Sequence, residues 1–354
     1  MIAKRNFTFI TVLFAVLMLI LAGCSNQQSS STSTSDESNH KETTSQEEDS
    51  EYPMTIKHAF GETVVEKKPK RVVTIQWGNQ DIPLALGVVP VGFSAANFGV
   101  QDDSGLLPWT AEKLKELGED NPNVFQDTDG LDFEAISDAK PDVILAAYSG
   151  ITQEDYDTLS QIAPVVAYPE AAWTTTWREQ VELNAKGMGM EKEGKKLIKD
   201  IEEMIQEKVS HYPQIKGKKV VWVNFSAKDL SKLHIYTPID SRAAFLYELG
   251  LEYPKSVTEL IKDPNNYSLE LSAENVEALY DADIIVGYGD ENLLKTIQKD
   301  PLLGKIPAVK RGSVAFIESD TPLVAAGTPT PLSIRYTIDD YLELLAGAAD
   351  KINE

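Results

Sequence analysis

The sequence holds one cysteine, Cys24, in 354 residues. A single thiol can form neither an intrachain disulfide nor a cysteine-held zinc knuckle or cluster. Histidine is nearly as scarce. The four, His40, His58, His211 and His234, are scattered with no two at metal-ligand spacing, so a zinc site has no support. Positive charge is also short: 33 Lys and Arg stand against 55 Asp and Glu, a formal charge of −22. Non-specific nucleic-acid binding needs basic patches that displace counterions from phosphates, and this balance argues against it. The chain has no G-x-S-x-G elbow, no H-E-x-x-H, and neither of the glycine-rich phosphate-binding signatures. Ser149-Gly150 follows a strand pattern, yet no His lies near it in sequence to activate the hydroxyl. The acidic balance itself speaks for a soluble, monomeric folded part and names no ligand.

Residues 1–24 start with Lys4 and Arg5, run apolar from Phe7 to Leu21, and end Leu21-Ala22-Gly23-Cys24. A basic start, an apolar core and small residues before a cut describe an export signal. The ending resembles the lipobox of bacterial lipoproteins, in which the cysteine is acylated and becomes the mature N-terminus. An uncleaved anchor is the alternative, because the apolar run approaches the ~17 residues that can just span a bilayer. Either reading puts the folded part outside the cytoplasmic membrane, and several acyl chains would hold it there stably. Residues 25–53 are mostly Ser, Thr, Gln, Asp and Glu. Such a stretch cannot bury enough surface to offset its ordering entropy, so it reads as a flexible tether.

From Met54 the pattern alternates strand and helix, which predicts parallel sheets built from βα units. The predicted strands include Arg71–Ile75, Val88–Phe93, Val143–Ala146, Val165–Tyr168, Lys219–Phe225, Ile284–Val286 and Ser313–Ile317. Between the halves, Thr175 or Thr176 caps a helix from Trp177 to Lys186. A second helix follows from Glu191 to about His211, with Leu197, Ile198, Ile201, Met204, Ile205 and Val209 on one face. The expected architecture is two Rossmann-like α/β lobes, 54–173 and 213–354, joined by a helical segment, 174–212, that contains a single long bridging helix. Such a bridge is stiffer than loop linkers and permits only modest closure.

One stretch, Leu131 to Thr152, has a weaker copy at Leu271 to Asn292. In the first, Asp132 caps a helix, Glu134 sits in its first turn, Pro141 stops it and biases Lys140 toward an extended conformation, and Tyr148 and Ser149 follow the strand. In the second, Ser272 caps, Glu274 occupies the first turn, and Tyr288 ends the strand. Each copy places a Tyr fourteen residues after its Glu. In open α/β sheets ligands sit beyond the carboxyl ends of the strands, which between two lobes becomes a shared cleft. That rule selects Trp77, Gly78, Tyr148, Ser149, Asn224, Phe225 and Tyr288. Trp173, Trp177 and Arg178 stand where the chain leaves the first lobe. Ser241 and Arg242 begin a helix whose N-terminus favours an anionic or carbonyl-bearing group. Aromatics at strand ends also occur as plain core rim, and an acid in a first helical turn is stable there without any function.

The chain from about Met54 resembles the substrate-binding lipoproteins of ABC importers for iron–siderophore complexes, through KPKRVVTIQWGNQD, GLDFEAISDAKPDVILAAYSGIT, LSQIAPVVAYPEAAWTTTW and DPLLGKIPAVKRGSVAFI. The Y-S-G and T-T-T-W segments look closest to members that bind ferric hydroxamates such as ferrioxamines. The resemblance implies a two-lobed fold joined by one long helix, and a monomer anchored to the membrane by lipid on Cys24. Its ligand would be an Fe(III)–siderophore complex with no resident cofactor or metal, and its partners an ABC permease and ATPase. It implies ligand contacts from Trp77, Tyr148, Ser149, Trp173, Trp177, Phe225, Arg242 and Tyr288. It further implies docking of Glu134 and Glu274 onto permease arginines, with Glu270 as a substitute for the second. A hexadentate siderophore already fills the iron's coordination sphere, which accords with the lack of His and Cys. The competing readings are a haem- or cobalamin-binding member of the same superfamily and, from another class, an extracellular hydrolase or adhesin. Whether Arg178, Arg242 or Arg335 faces the cleft is left open by the sequence.

Overall fold

Short apolar runs bounded by turn residues become fully buried central strands. The computed structural model describes residues 52–352 apart from 101 and 128, all within one compact unit. The lipobox, Cys24 and the tether up to residue 51 lie outside the described residues. Among the described residues no helix is long and apolar enough to cross a membrane.

The first lobe opens with an antiparallel hairpin of β1 (Met54–His58) and β2 (Gly61–Val65). Its sheet contains β3 (Val72–Thr74), β4 (Gly92–Ser94), β5 (Val124–Phe125), β6 (Val143–Ala146) and β7 (Val165–Ala167). The order is β5-β4-β3-β6-β7 and every pairing is parallel. All four residues of β6 are buried, as a strand covered on both faces requires. The expected strand Val88–Phe93 shrinks to Gly92–Ser94, since Pro90 has no N–H to give the ladder. Lys140 is not extended. It takes a left-handed φ of 49° at the end of the helix Phe133–Asp138, where the Arg71 guanidinium donates to the carbonyls of Ala139 and Lys140.

The second lobe holds β8 (Val220–Ser226), β9 (Asp229–Tyr236), β10 (Ser268–Ser272), β11 (Ile284–Tyr288) and β12 (Val314–Ile317), ordered β10-β9-β8-β11-β12. Only β8, β11 and β12 pair in parallel; β9 and β10 are antiparallel, so this sheet is mixed where a parallel one was expected. The cause is local. Two residues, Ala227 and Lys228, separate β8 from β9, and so short a connection can only reverse the chain. The segment after Ser272 is a 3-10 helix, Ala273–Leu279, with a non-helical Asn275 inside it.

Three helices join the lobes. Thr176 caps Trp177–Gly187 through a reciprocal box with Glu179. The helix Glu191–Ser210, about 30 Å long by its rise per residue, buries Leu197, Ile198, Ile201 and Ile205. It packs against Trp177–Gly187 and against the terminal helix Pro331–Asp350. Gly194 permits the first of these contacts, for a Cβ there would lie 2.6 Å from that of Ala185. Arg178 ties the helices to the second lobe, with Nε 2.6 Å from Glu202 and Nη1 2.6 Å from Glu248.

A second tie is a buried acid. Asp81, at the start of the short helix Asp81–Ala85, accepts from Trp109 Nε1 at 2.8 Å, Thr110 Oγ1 at 3.0 Å and Thr330 Oγ1 at 2.5 Å. Thr330 belongs to the second lobe, where it caps the terminal helix. Burial pushes the Asp81 carboxyl up from 3.8 to about 6, although the three donors pull the other way. An acid raised in the folded state contributes stability that is full below its unfolded pKa and lost as pH rises through its folded one. A shift of about two units corresponds to about 3 kcal/mol. Asp81→Asn, which cannot ionise, should therefore gain about 3 kcal/mol relative to wild type between about pH 4 and pH 7 in urea unfolding. A wild-type–variant difference that stays constant over that range would show that burial does not perturb Asp81.

Candidate ligand cavity between the lobes

The side of the first lobe that faces the second is organised by one amide. Asn79, fully buried after β3, donates from Nδ2 to the carbonyls of Ile75 at 2.9 Å and Tyr148 at 2.8 Å. Its Oδ1 accepts from Tyr148 N at 3.1 Å and Asn184 Nδ2 at 3.0 Å. The loop after β3 is thereby fixed to the loop after β6 and to the helix Trp177–Gly187. Two residues beside this knot, Gln76 and Trp173, hold left-handed φ values of 63° and 65°. Such backbone costs non-glycine residues about 1–3 kcal/mol and persists only where the surroundings impose it. Here Gln76 N donates to Ser94 Oγ at 2.8 Å and Trp173 N to Ser149 O at 3.2 Å. Residue 150 must be glycine for Trp173 to sit where it does, since a Cβ there would fall 2.4 Å from its Nε1.

Beyond these loops lies a cavity of about 480 Å³ between the carboxyl ends of the two sheets. The first lobe lines it with Trp77, Phe98, Asp127, Tyr148 and Trp173; the second with Asn224, Tyr236, Arg242, Tyr267 and Tyr288. Tyr148 meets Trp173 edge-on at 5.3 Å, and Phe98 meets Tyr288 edge-on at 5.6 Å across the lobes. The Tyr148 hydroxyl lies 3.3 Å from Ser241 Oγ, a further contact between lobes. Burial raises the phenols of Tyr148, Tyr236 and Tyr288, so they keep their protons and act as hydrogen-bond donors.

Arg242 is the cation of the cavity. Its Cζ lies 4.1 Å from the centre of the Tyr236 ring. Nη1 donates to Thr328 Oγ1 and Nη2 to Asp240 Oδ2, both at 3.1 Å. Burial is the largest single influence and works against the charge, but Asp240 together with the Tyr148, Tyr288 and Tyr236 phenols outweighs it and raises the guanidinium further above its ordinary value. Asp240 is fully buried and caps the helix Ser241–Glu248 through the Arg242 N–H. Desolvation raises its carboxyl to about 6, against the pull of Arg242. On the opposite wall, burial also raises Asp127, whose Oδ2 accepts from Ser94 Oγ.

Of the residues singled out in the sequence, Trp77, Tyr148, Trp173, Arg242 and Tyr288 line this cavity, as does Asn224. Gly78 and Ser241 do not, nor do three of the implied ligand contacts. The Ser149 hydroxyl turns back to Ala146 O at 2.8 Å. Phe225, next to Asn224 on β8, faces away by the strand's two-residue alternation and packs edge-on against Phe316. Trp177 is buried below the cleft, donating from Nε1 to Glu248 at 2.9 Å. Arg178 is held by its two glutamates and Arg335 is exposed; neither lines the cavity. Glu134 and Glu274 are exposed on their respective lobes, each two residues past a capping side chain. Phe98, Asp127, Tyr236, Tyr267 and Thr328 were not anticipated. Tyr236 ends β9 and so obeys the strand-end rule, but that strand was not read from the sequence.

Among the described residues no group of three or more His, Cys, Asp or Glu could hold a metal ion. The cavity thus offers aromatic faces, phenol and amide donors, and one guanidinium.

The profile of a family described as periplasmic binding protein matches residues 72–321. Among curated relatives, the probable siderophore-binding lipoprotein YfiY of Bacillus subtilis is 28% identical over 298 residues, covering 81% of this chain and 86% of that one. Among solved structures, PiaA of Streptococcus pneumoniae in complex with ferrichrome is 54% identical with a TM-score of 0.81, covering 84% of this chain and 99% of that one. SirA of Staphylococcus aureus complexed with staphyloferrin B is 25% identical with a TM-score of 0.63, covering 82% and 98%. With two α/β lobes, a cavity between them and a profile spanning most of both, this chain belongs to the periplasmic binding protein family, the substrate-binding proteins of ABC importers.

Proposed function

We propose that the protein captures a ferric siderophore of the hydroxamate class outside the cytoplasmic membrane and delivers it to an ABC permease driven by its ATPase. The observation that carries this reading is the interlobe cavity, rich in aromatic faces and hydrogen-bond donors and with no His, Cys or Met among its described lining residues. Iron already enclosed by six siderophore oxygens needs no protein ligand. It needs apolar surface for the chelator's chains and donors for its oxygens, and Arg242 with protonated Tyr148 and Tyr288 supplies both kinds of contact. The ferrichrome complex of PiaA, at 54% identity, supports the hydroxamate class. Haem, by contrast, takes an axial His, Met or Tyr; no His or Met stands among the described lining residues, and an absorption spectrum with haem separates that reading from this one.

The protein is a binding protein and not an enzyme. It is tethered as a monomer through lipid on Cys24, with lobes at 54–173 and 213–354 flanking the helical segment 174–212. Glu134 and Glu274 dock the permease, one from each lobe. Glu270 is the weaker candidate, because Lys232 already holds it at 2.8 Å.

Titrating the purified folded region with ferrichrome, a ferric tris-catecholate and ferric dicitrate, with Trp fluorescence as the signal, should give saturable quenching with ferrichrome. Saturation by none of the three would overturn the proposal. Tyr148→Ala should weaken ferrichrome binding about tenfold, the worth of one buried aromatic contact. An unchanged Kd would remove Tyr148 from the site. Glu134→Ala combined with Glu274→Ala should abolish iron uptake by cells and leave the Kd unchanged; affinity that falls in step with uptake would refute the docking role.

A further inference from the structure

The cavity's one cation comes already neutralised. Among the described lining residues, Arg242 and Asp127 are the only charged side chains, and they lie in different lobes. Behind Arg242, outside the lining, stands Asp240, with Oδ2 3.1 Å from Nη2 and Oδ1 3.1 Å from Nε. The second distance is an ion-pair contact without hydrogen-bond alignment, and Nε has no aligned acceptor. Nη1 and Nη2 each make one bond, to Thr328 and Asp240, while each carries two N–H groups. Arg242 therefore presents spare donors to the cavity while its charge is balanced from behind. Asp127 adds a negative group, and no second cation stands among the described lining residues to answer it.

We propose that Asp240 is the specificity-determining residue of the cavity: by pairing with Arg242 from behind, it makes the site select ferric complexes of zero charge over anionic ones. This rests on the siderophore-binding reading above. Charge separates the ligand classes cleanly. Three hydroxamates balance Fe³⁺ to zero, whereas three catecholates leave three negative charges. An unpaired guanidinium in a partly desolvated cleft would attract an anion strongly, because unit charges a few ångströms apart interact by about 4 kcal/mol at an effective dielectric of 20. The Asp240–Arg242 pair removes that attraction and keeps the N–H groups that a neutral chelate's oxygens require. The acid is also placed where no ligand can displace it, at zero exposure and fixed as a helix cap.

Asp240→Asn tests this without loss of the cap, since Asn caps as well as Asp does. The variant should shift the ratio of the two affinities at least about tenfold in favour of the ferric tris-catecholate over ferrichrome, relative to wild type. If both ligands shift together, or the tris-catecholate does not gain, Asp240 does not select charge. A measurement on the wild type needs no variant and decides the matter should Asp240→Asn fail to melt cooperatively. The Kd for the trianionic ferric tris-catecholate should be weaker than that for ferrichrome and should not tighten as NaCl falls from about 0.5 to about 0.02 M; steep tightening at low salt, the mark of an unpaired cation in the site, would overturn the proposal. Saturation of the wild type by no ferric complex would instead remove the siderophore reading on which it rests.

Discussion

Asn79 uses its full hydrogen-bonding capacity, two donors and two acceptor sites, from a position with no exposure to water. Leaving any of those groups unpaired would cost the desolvation of a buried polar group, about 1–3 kcal/mol. The amide thus fixes three segments with respect to one another: the end of β3, the residues after β6, and the helix that leaves the first lobe. Trp77 and Tyr148 flank or receive these bonds directly. Trp173 follows at one remove, through Ser149 O and the space left by Gly150. The aromatic wall of the first lobe is therefore positioned by a polar knot beneath it. That is why Gln76 and Trp173 can hold left-handed backbone there.

The second lobe reaches a similar wall by other means. Gly287 has no room for a Cβ, which would meet Val223 O at 2.3 Å, and so β11 packs tightly on β8. Tyr288 then lies against Trp222 at 4.8 Å, and Trp222 against Tyr236 at 5.5 Å. The antiparallel extension through β9 is what brings Tyr236 under Arg242. The two lobes repeat a helix-start Glu and a late Tyr, yet they divide the chemistry unequally. The guanidinium and its counter-charge both belong to the second lobe, and most of the fixed hydrogen-bonded backbone belongs to the first.

The parts of this arrangement that were legible in the sequence are those set by local rules. Apolar runs such as Val143–Ala146 and Ile284–Val286, and caps such as Asp132, Thr176 and Ser272, announce themselves because burial on two faces and free helix-end N–H groups demand those residue types. Membership of the family was legible through motif resemblance. What could not be read depended on partners far away in sequence. β9 carries Asp, Ser, Lys and His on its exposed positions and looks like a loop until it pairs with β8 and β10. Which of two neighbours faces the cavity, Tyr148 or Ser149, Asn224 or Phe225, follows from strand alternation once the phase is known, and the phase is set by the sheet. Asp240 escaped notice for a related reason. A helix-capping acid is common, and its second task appears only when the Arg242 side chain is seen to fold back over it.

Several contacts cross between lobes: Asp81 with Thr330, Tyr148 with Ser241, Trp177 and Arg178 with Glu248, and Phe98 with Tyr288. A wide opening would have to expose Asp81 and break a cap-linked hydrogen bond, release Glu248 from two donors, and part the Phe98–Tyr288 rings. Each of these opposes separation, and the helix Glu191–Ser210 adds stiffness along the joint. A cleft held in this way cannot rely on large lobe motion to sort its ligands. It must discriminate by the shape and charge already present when the ligand arrives. Aromatic faces accept many chelators of similar bulk, so they discriminate weakly between chemical classes. Charge does so strongly in a site partly removed from water, where each uncompensated unit is screened far less than in solution. A rigid, aromatic, His-poor cleft thus places its selectivity in the few groups that set its electrostatic balance, and in this chain those are Arg242, Asp240 and Asp127.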